Sequence, residues 1–75
     1  MDIKVGFIGA GNMGSAIIRG IVASKAVEGK NIYVFDPVEE VKNNVANETG
    51  AHAVSDNDEV IKNSNVVFLC VKPKE

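Results

Sequence analysis

Few residue types that carry chemistry are present in this sequence. Its 75 residues include one cysteine, one histidine, no tryptophan, and aromatic rings at only 5% of positions. One cysteine excludes an intrachain disulfide framework, the usual staple of small secreted domains. His52 has no second His or Cys at ligand spacing, which argues against a metal centre and for a structural histidine, exposed or partly buried. Neither sign of charge dominates: eight basic and ten acidic residues leave a net charge of −2. No electrostatic case for nucleic acid or an anionic membrane arises from that balance. No apolar run reaches the roughly 18–20 residues of a membrane span, and no signal peptide precedes the first structured stretch, so the cytoplasm is the expected compartment. The chain is also short against domains of roughly 100–150 residues, so one folding unit is the ceiling. Such a chain buries only about 60% of the surface its unfolded form exposes. What is abundant is β-branched: nineteen Val plus Ile stand against a single Leu. That inventory favours strands, because branched side chains pack well on a pleated surface and lose rotamer freedom in helices.

Hydrophobic patterning divides the chain into alternating elements. Ile3 to Ile8 forms a first strand whose only non-apolar positions are Lys4 and Gly6, as expected for a strand covered on both faces. Met13, Ala16, Ile17, Gly20, Ile21 and Ser24 then recur at helical spacing, with Asn12 or Ser15 available as a cap and Gly29 marking the exit. Asn31 to Asp36 is a second strand closed by an acid. Pro37 suits the first turn of a helix carrying Val38, Val41 and Val45, with Gly50 as its C-terminal cap. Ala51 to Val54 fits a short third strand. Asp56 and Glu59 form a capping box for a brief helix through Lys62. The six apolar residues after Asn65 are the strongest buried-strand signal in the chain, and Pro73 stops them. A βαβαβαβ order implies a parallel sheet with right-handed crossovers. The chain then stops at the exit of a strand, where an α/β protein would normally continue.

Gly9-Ala10-Gly11-Asn12-Met13-Gly14 is the motif that carries chemistry. A G-x-G-x-x-G pattern alone is weak, but here it follows a predicted strand, opens a predicted helix and lies in a βαβ unit that ends in an acid. Gly9 lets the chain turn sharply out of the strand, Gly11 lets backbone approach a pyrophosphate, and Gly14 lets the helix pack close to the strand. The helix start offers unpaired N–H groups and a positive dipole end to phosphates. Asp36, 22 residues after Gly14, stands where a carboxylate accepts hydrogen bonds from an adenosine ribose. The plainer alternative is a turn that only allows tight packing, with Asp36 as a helix cap. A carboxylate there disfavours a 2′-phosphate, and the sole arginine, Arg19, falls on the solvated face of the first helix. The lean is towards NAD(H), although Lys42 could swing in to serve NADP.

Val5 through Gly14, then Ala16-Ile17 and Gly20, with Val71-Lys72-Pro73 after the fourth strand, resemble the N-terminal domain of the pyrroline-5-carboxylate reductase family over essentially the whole chain. The resemblance implies an NAD(P)H-dependent oxidoreductase that reduces the cyclic imine pyrroline-5-carboxylate to proline, a step of amino-acid biosynthesis. It implies that Phe7, Ile8, Gly9, Ala10, Gly11 and Asn12 form the dinucleotide turn and that Met13 and Gly14 begin the helix. Asp36 then falls where the adenosine ribose or its phosphate is discriminated, Asn57 reaches the adenosine half, and Val71, Lys72 and Pro73 run beside the nicotinamide. NADP-preferring members tend to carry serine, threonine or arginine near the position of Asp36, so the acid here departs from them. The family's imine pocket and homo-oligomer interface come from a helical C-terminal domain, none of which is present.

The remaining polar residues have plainer readings. Lys72 is a solvated charge or a cofactor contact before it is an acid for the imine, so no catalytic residue is assigned. Cys70 reads as a small buried hydrophobe, and Asp56-Asn57-Asp58-Glu59 lacks the spacing of a calcium loop. Ser15 could lend its hydroxyl to a phosphate or cap its own helix. Phe7, Tyr33, Phe35 and Phe68 fall in strands and read as packing. The expected fold is therefore the first portion of a Rossmann-like, doubly wound parallel sheet, order 3-2-1-4, truncated at residue 75, with the cofactor across the carboxyl ends of strands one and four. Residues 1–75 alone should show no turnover. Two alternatives remain open: a β-hydroxyacid dehydrogenase or other imine reductase, and a non-enzymatic NAD-sensing module.

Overall fold

The computed structural model describes residues 3–70. Strands and helices alternate: β1 (Val5–Ile8), α1 (Asn12–Ala23), β2 (Ile32–Phe35), α2 (Glu39–Thr49), β3 (His52–Ala53), α3 (Asn57–Asn63) and β4 (Val66–Leu69), with a 3-10 turn at Gly29–Asn31. All three strand pairings are parallel and the order is β3-β2-β1-β4. This is the expected doubly wound arrangement. Among the described residues no helix is long and apolar enough to cross a membrane.

Alternation along β1 sends successive side chains to opposite faces. Val5 and Phe7 join Ile18 of α1, Ile32 and Val34 of β2 and Val45 of α2 in one buried cluster. Gly6 faces the other way, where a Cβ would collide with Val60 and Ser64 on α3 and just beyond it. α1 and α2 therefore cover one face and α3 the other. The side chains of Phe7, Ile18, Ile32, Val34, Val45 and Val60 are fully buried, each stabilising the fold by roughly 1.5–3 kcal/mol.

The helices differ from expectation in phase and in their ends. In α1 the buried residues are Gly14, Ser15 and Ile18, while Met13, Ala16 and Gly20 are exposed. Ile17, Ile18, Ile21 and Val22 allow two phases one residue apart, and the close approach of Gly14 to the turn selects the second. Neither Asn12 nor Ser15 caps α1; the N-cap is Gly11, without a side-chain bond. Its exit is not Gly29 but Lys25, in the left-handed region at φ 63°. Lys25 N–H donates to Val22 O and Ala26 N–H to Ile21 O, the paired bonds of a Schellman motif. Pro37 stands two residues ahead of α2, whose N-cap is Val38. Gly50 caps its C-terminus at φ 81° as expected, and Asp56 caps α3 by accepting the Glu59 N–H at 2.9 Å.

Among the described residues β4 pairs with β1 alone. Phe68 stacks on Phe7 with ring centroids 5.1 Å apart, yet Val66, Phe68 and Leu69 are exposed, Leu69 to 73%. An apolar run reports the affinity of a strand for cover, and an edge position supplies cover on one side only. His52 is exposed, stacked on Tyr33, with Nε2 2.8 Å from Lys30 O.

Candidate functional site

Three strand ends meet at one crevice. Gly9 and Gly11 follow β1, Asp36, Pro37 and Val38 follow β2, and Cys70 follows β4; with Val41 they line a hollow of about 350 Å³. Parallel sheets open for ligands at this edge, where the strand order reverses between β1 and β4. A second hollow of about 240 Å³ lies between α1 and α2, lined in part by Gly11, Asn12, Ser15 and Arg19.

The glycines around the crevice serve different ends. Gly9 sits at φ 95°, so the chain leaves β1 through a conformation that a side chain would strain. A Cβ on Gly14 would stand 2.7 Å from the Gly9 carbonyl oxygen, so α1 approaches the turn as closely as it does only without one. Nothing lies within 4 Å of a Cβ built on Gly11, so no packing reason explains glycine there. That open space borders the start of α1.

The first intrahelical bond of α1 runs from Ser15 N–H to Gly11 O at 2.9 Å. The amides of Gly11, Asn12, Met13 and Gly14 have no hydrogen-bond partner among the described residues. No acidic residue occupies the first turn of α1, so its positive dipole end is not neutralised from within the helix. The preceding amides are used differently. Gly9 N–H donates to Phe35 O at 2.7 Å, and Ala10 N–H to Asp36 Oδ2 at 2.8 Å. Ser15 does not hold its hydroxyl out to the crevice; Oγ donates to Ala10 O. Asp36 is buried and its other oxygen accepts the Val38 N–H at 2.8 Å.

Lys42, though charged, is only 5% exposed. Its Nζ donates to Glu39 Oε2 at 2.8 Å and to Val54 O at 3.0 Å, and lies 5.6 Å from the centre of the Phe35 ring. It is thus turned inward rather than towards the crevice. Arg19 is half-exposed and paired with Glu48 at 2.9 Å, on the solvated side where the pattern placed it.

Of the sequence-derived site residues, Gly9, Gly11 and Asp36 share the crevice, and Ala10 and Asn12 border the second hollow. Gly14 is buried beneath the turn and Met13 is exposed beside it. Phe7 and Ile8 lie within β1 rather than in the turn, with the Phe7 ring in the core. Asn57 is an exposed residue at the start of α3, outside both hollows. Val71, Lys72 and Pro73 lie outside the described residues. Cys70, read from sequence as buried, is half-buried and forms part of the crevice wall. Val41 and Cys70 read from sequence as packing rather than as site residues, because an apolar residue bordering a cleft has the same pattern as one in a core.

Residues 4–75 match the profile of the family described as NADP oxidoreductase, coenzyme F420-dependent. The chain belongs to this family. It is 37% identical over 73 residues to the pyrroline-5-carboxylate reductase of Escherichia coli, an alignment covering 97% of this chain and 27% of that protein. The structure of a pyrroline-5-carboxylate reductase from Coxiella burnetii superposes with a TM-score of 0.88 at 30% identity, over 97% of this chain and 27% of the other. That of the Plasmodium falciparum pyrroline carboxylate reductase, with NADP bound, gives 0.76 at 28% identity, over 92% and 24%. This member of the family thus spans about a quarter of the length of the relatives it matches.

Proposed function

We propose that this chain is the N-terminal, nicotinamide-dinucleotide-binding part of an oxidoreductase that reduces a cyclic imine, pyrroline-5-carboxylate, to proline. The observation that carries the reading is the start of α1: four amides without a partner among the described residues border the open space at Gly11, and the helix carries no acid in its first turn. A pyrophosphate supplies the acceptors and negative charge that such a cradle lacks. Family membership and the likeness to pyrroline-5-carboxylate reductases supply the reaction class.

Gly11, Asn12, Met13 and Gly14 would hold the pyrophosphate by backbone N–H groups, with Gly9 and Ala10 shaping the turn behind them. Asp36, Pro37, Val38 and Val41 would border the adenosine, with Asn57 nearer its far edge. Val71, Lys72 and Pro73 would run beside the nicotinamide. The dinucleotide, when bound, supplies the hydride; the chain's own task is to bind and orient it. No catalytic side chain is assigned within residues 1–75, and the chain alone turns over no imine. The imine pocket and a homo-oligomeric interface belong to the further length that the relatives possess. The compartment is cytoplasmic, with no nucleic-acid or membrane partner.

NADH is the preferred form. Among the described residues no cation is placed beside the Asp36 carboxylate at the crevice, since Lys42 is held by Glu39 and Val54 and Arg19 by Glu48. Neither is placed to neutralise a 2′-phosphate. Titrations of the chain with NADH and NADPH, followed by nicotinamide fluorescence, test both levels. NADH should bind about tenfold or more tightly than NADPH, a difference of about 1.4 kcal/mol. Tighter NADPH binding overturns the preference, and no binding of either dinucleotide overturns the function.

A further inference from the structure

The residue that ends β2 does more than face a ribose. Asp36 Oδ2 accepts the Ala10 N–H and Oδ1 accepts the Val38 N–H, both at 2.8 Å, and the residue is 8% exposed. Its bond to Val38 is not a cap in the usual position, because the N-cap of α2 is Val38 itself. One carboxylate therefore spans two turns from different βα units. Ala10, itself fully buried, lies between Gly9 and Gly11, two residues with wide conformational freedom, so its amide is a point at which the turn can be held. The neighbouring Gly9 N–H is also anchored on β2, through Phe35 O. The four amides after Ala10 carry no such anchor.

We propose that Asp36 is a positioning residue, a strut that fixes the glycine-rich turn against the β2–α2 turn and so sets the cradle of free amides before an anion arrives. Only a carboxylate suits the place. It offers two acceptor oxygens and no donor, whereas asparagine sets an NH₂ against one of the two N–H groups. Serine, with one oxygen on a shorter side chain, cannot bridge both turns. Each carboxylate oxygen keeps a second acceptor site, so a ribose contact is compatible with the strut. Holding the turn in its bound form lowers the ordering cost of binding. What the cradle holds rests on the dinucleotide reading; the strut itself does not.

Amide hydrogen exchange on the whole chain without cofactor provides the test, with inorganic pyrophosphate as the anion probe. In the unaltered protein the Ala10 and Val38 amides should be protected and the Gly11 amide not. Asp36→Asn, which keeps the shape, should accelerate exchange at Ala10 or Val38 by about tenfold or more, and Asp36→Ala at both. Protection at Val34, between β1 and β3, reports that the sheet persists. Pyrophosphate should bind Asp36→Asn more weakly by about three- to tenfold, although removing a negative charge near a phosphate would by Coulomb's law alone strengthen binding. Free exchange at Ala10 in the unaltered protein overturns the proposal, as does equal or tighter pyrophosphate binding by Asp36→Asn. Pyrophosphate that fails to bind the unaltered protein overturns the dinucleotide reading instead, and Ala10 protection still decides the strut.

Discussion

Alanine at Gly14 and alanine at Gly20 add the same methyl group to the same helix with opposite expected results. Within a helix, replacing glycine by alanine gains up to roughly 1 kcal/mol, because the unfolded chain loses freedom it no longer has to give up. At Gly20 the new Cβ has nothing within 4 Å and the position is exposed, so that gain is realised. Gly20→Ala should stabilise the protein by about 0.5–1 kcal/mol. At Gly14 the new Cβ would lie 2.7 Å from the Gly9 carbonyl oxygen and 3.3 Å from Cys70 Cβ. The oxygen belongs to a backbone turn whose own amide is tied to Phe35, so it cannot yield alone. Relief requires α1 to move off the sheet, and overpacking of this kind costs roughly 1–3 kcal/mol. Set against a propensity gain reduced near the helix start, the net loss for Gly14→Ala is about 1–2 kcal/mol. Urea unfolding followed by far-ultraviolet circular dichroism reads both variants, and in a domain of this size 1 kcal/mol corresponds to about 4–8 °C in Tm. A Gly14→Ala midpoint equal to or above that of the unaltered protein would refute the packing argument.

Gly11→Ala should leave the unfolding midpoint within about 0.5 kcal/mol of the unaltered value, since its Cβ meets nothing. The same change should weaken NADH binding about tenfold or more in a fluorescence titration, because the methyl group would stand in the path proposed for the pyrophosphate. Lys25→Gly should stabilise by about 0.5–1 kcal/mol in urea, relieving a lysine held at φ 63° in the Schellman motif. Lys42→Met should cost about 1 kcal/mol by leaving the Val54 carbonyl unpaired. Glu39→Gln, which touches the same ammonium from an exposed position, should cost no more than about 0.5 kcal/mol; a larger loss than for Lys42→Met would show that the ion pair within α2, and not the bond to the Val54 carbonyl, carries the contribution of this lysine.

Element type and order were legible because period and punctuation agreed. The Val- and Ile-rich runs, the glycine-rich turn, Gly50 and the Asp56–Glu59 pair each carry a local signal that no distant contact has to supply. The candidate site was legible for the same reason, since the motif lies on one turn and its acid at the end of the next strand. What stayed hidden depended on partners far away in sequence. The phase of α1 was ambiguous until Gly14 met the Gly9 carbonyl. Lys42 reads as a charge able to swing in towards a 2′-phosphate, and only the Val54 carbonyl twelve residues on explains why it is buried instead. The exposure of β4 was legible in part, because the order 3-2-1-4 expected from the sequence already sets this apolar strand at a sheet edge, where Val66, Phe68 and Leu69 are exposed.

By itself the sequence determined a parallel α/β sheet with a glycine-rich turn after its first strand. Those properties follow from side-chain periodicity and from glycine's freedom, both local to a few residues. The tertiary structure alone decided which amides stay free and which are spent. Gly9 and Ala10 donate to the end of β2, 26 residues away, and Gly11 through Gly14 do not. A hydrogen bond over that separation exists only once the two strands lie side by side. The bridge that Asp36 forms between turns therefore appears only in the folded molecule, although its proposed place beside a ribose could be read from spacing.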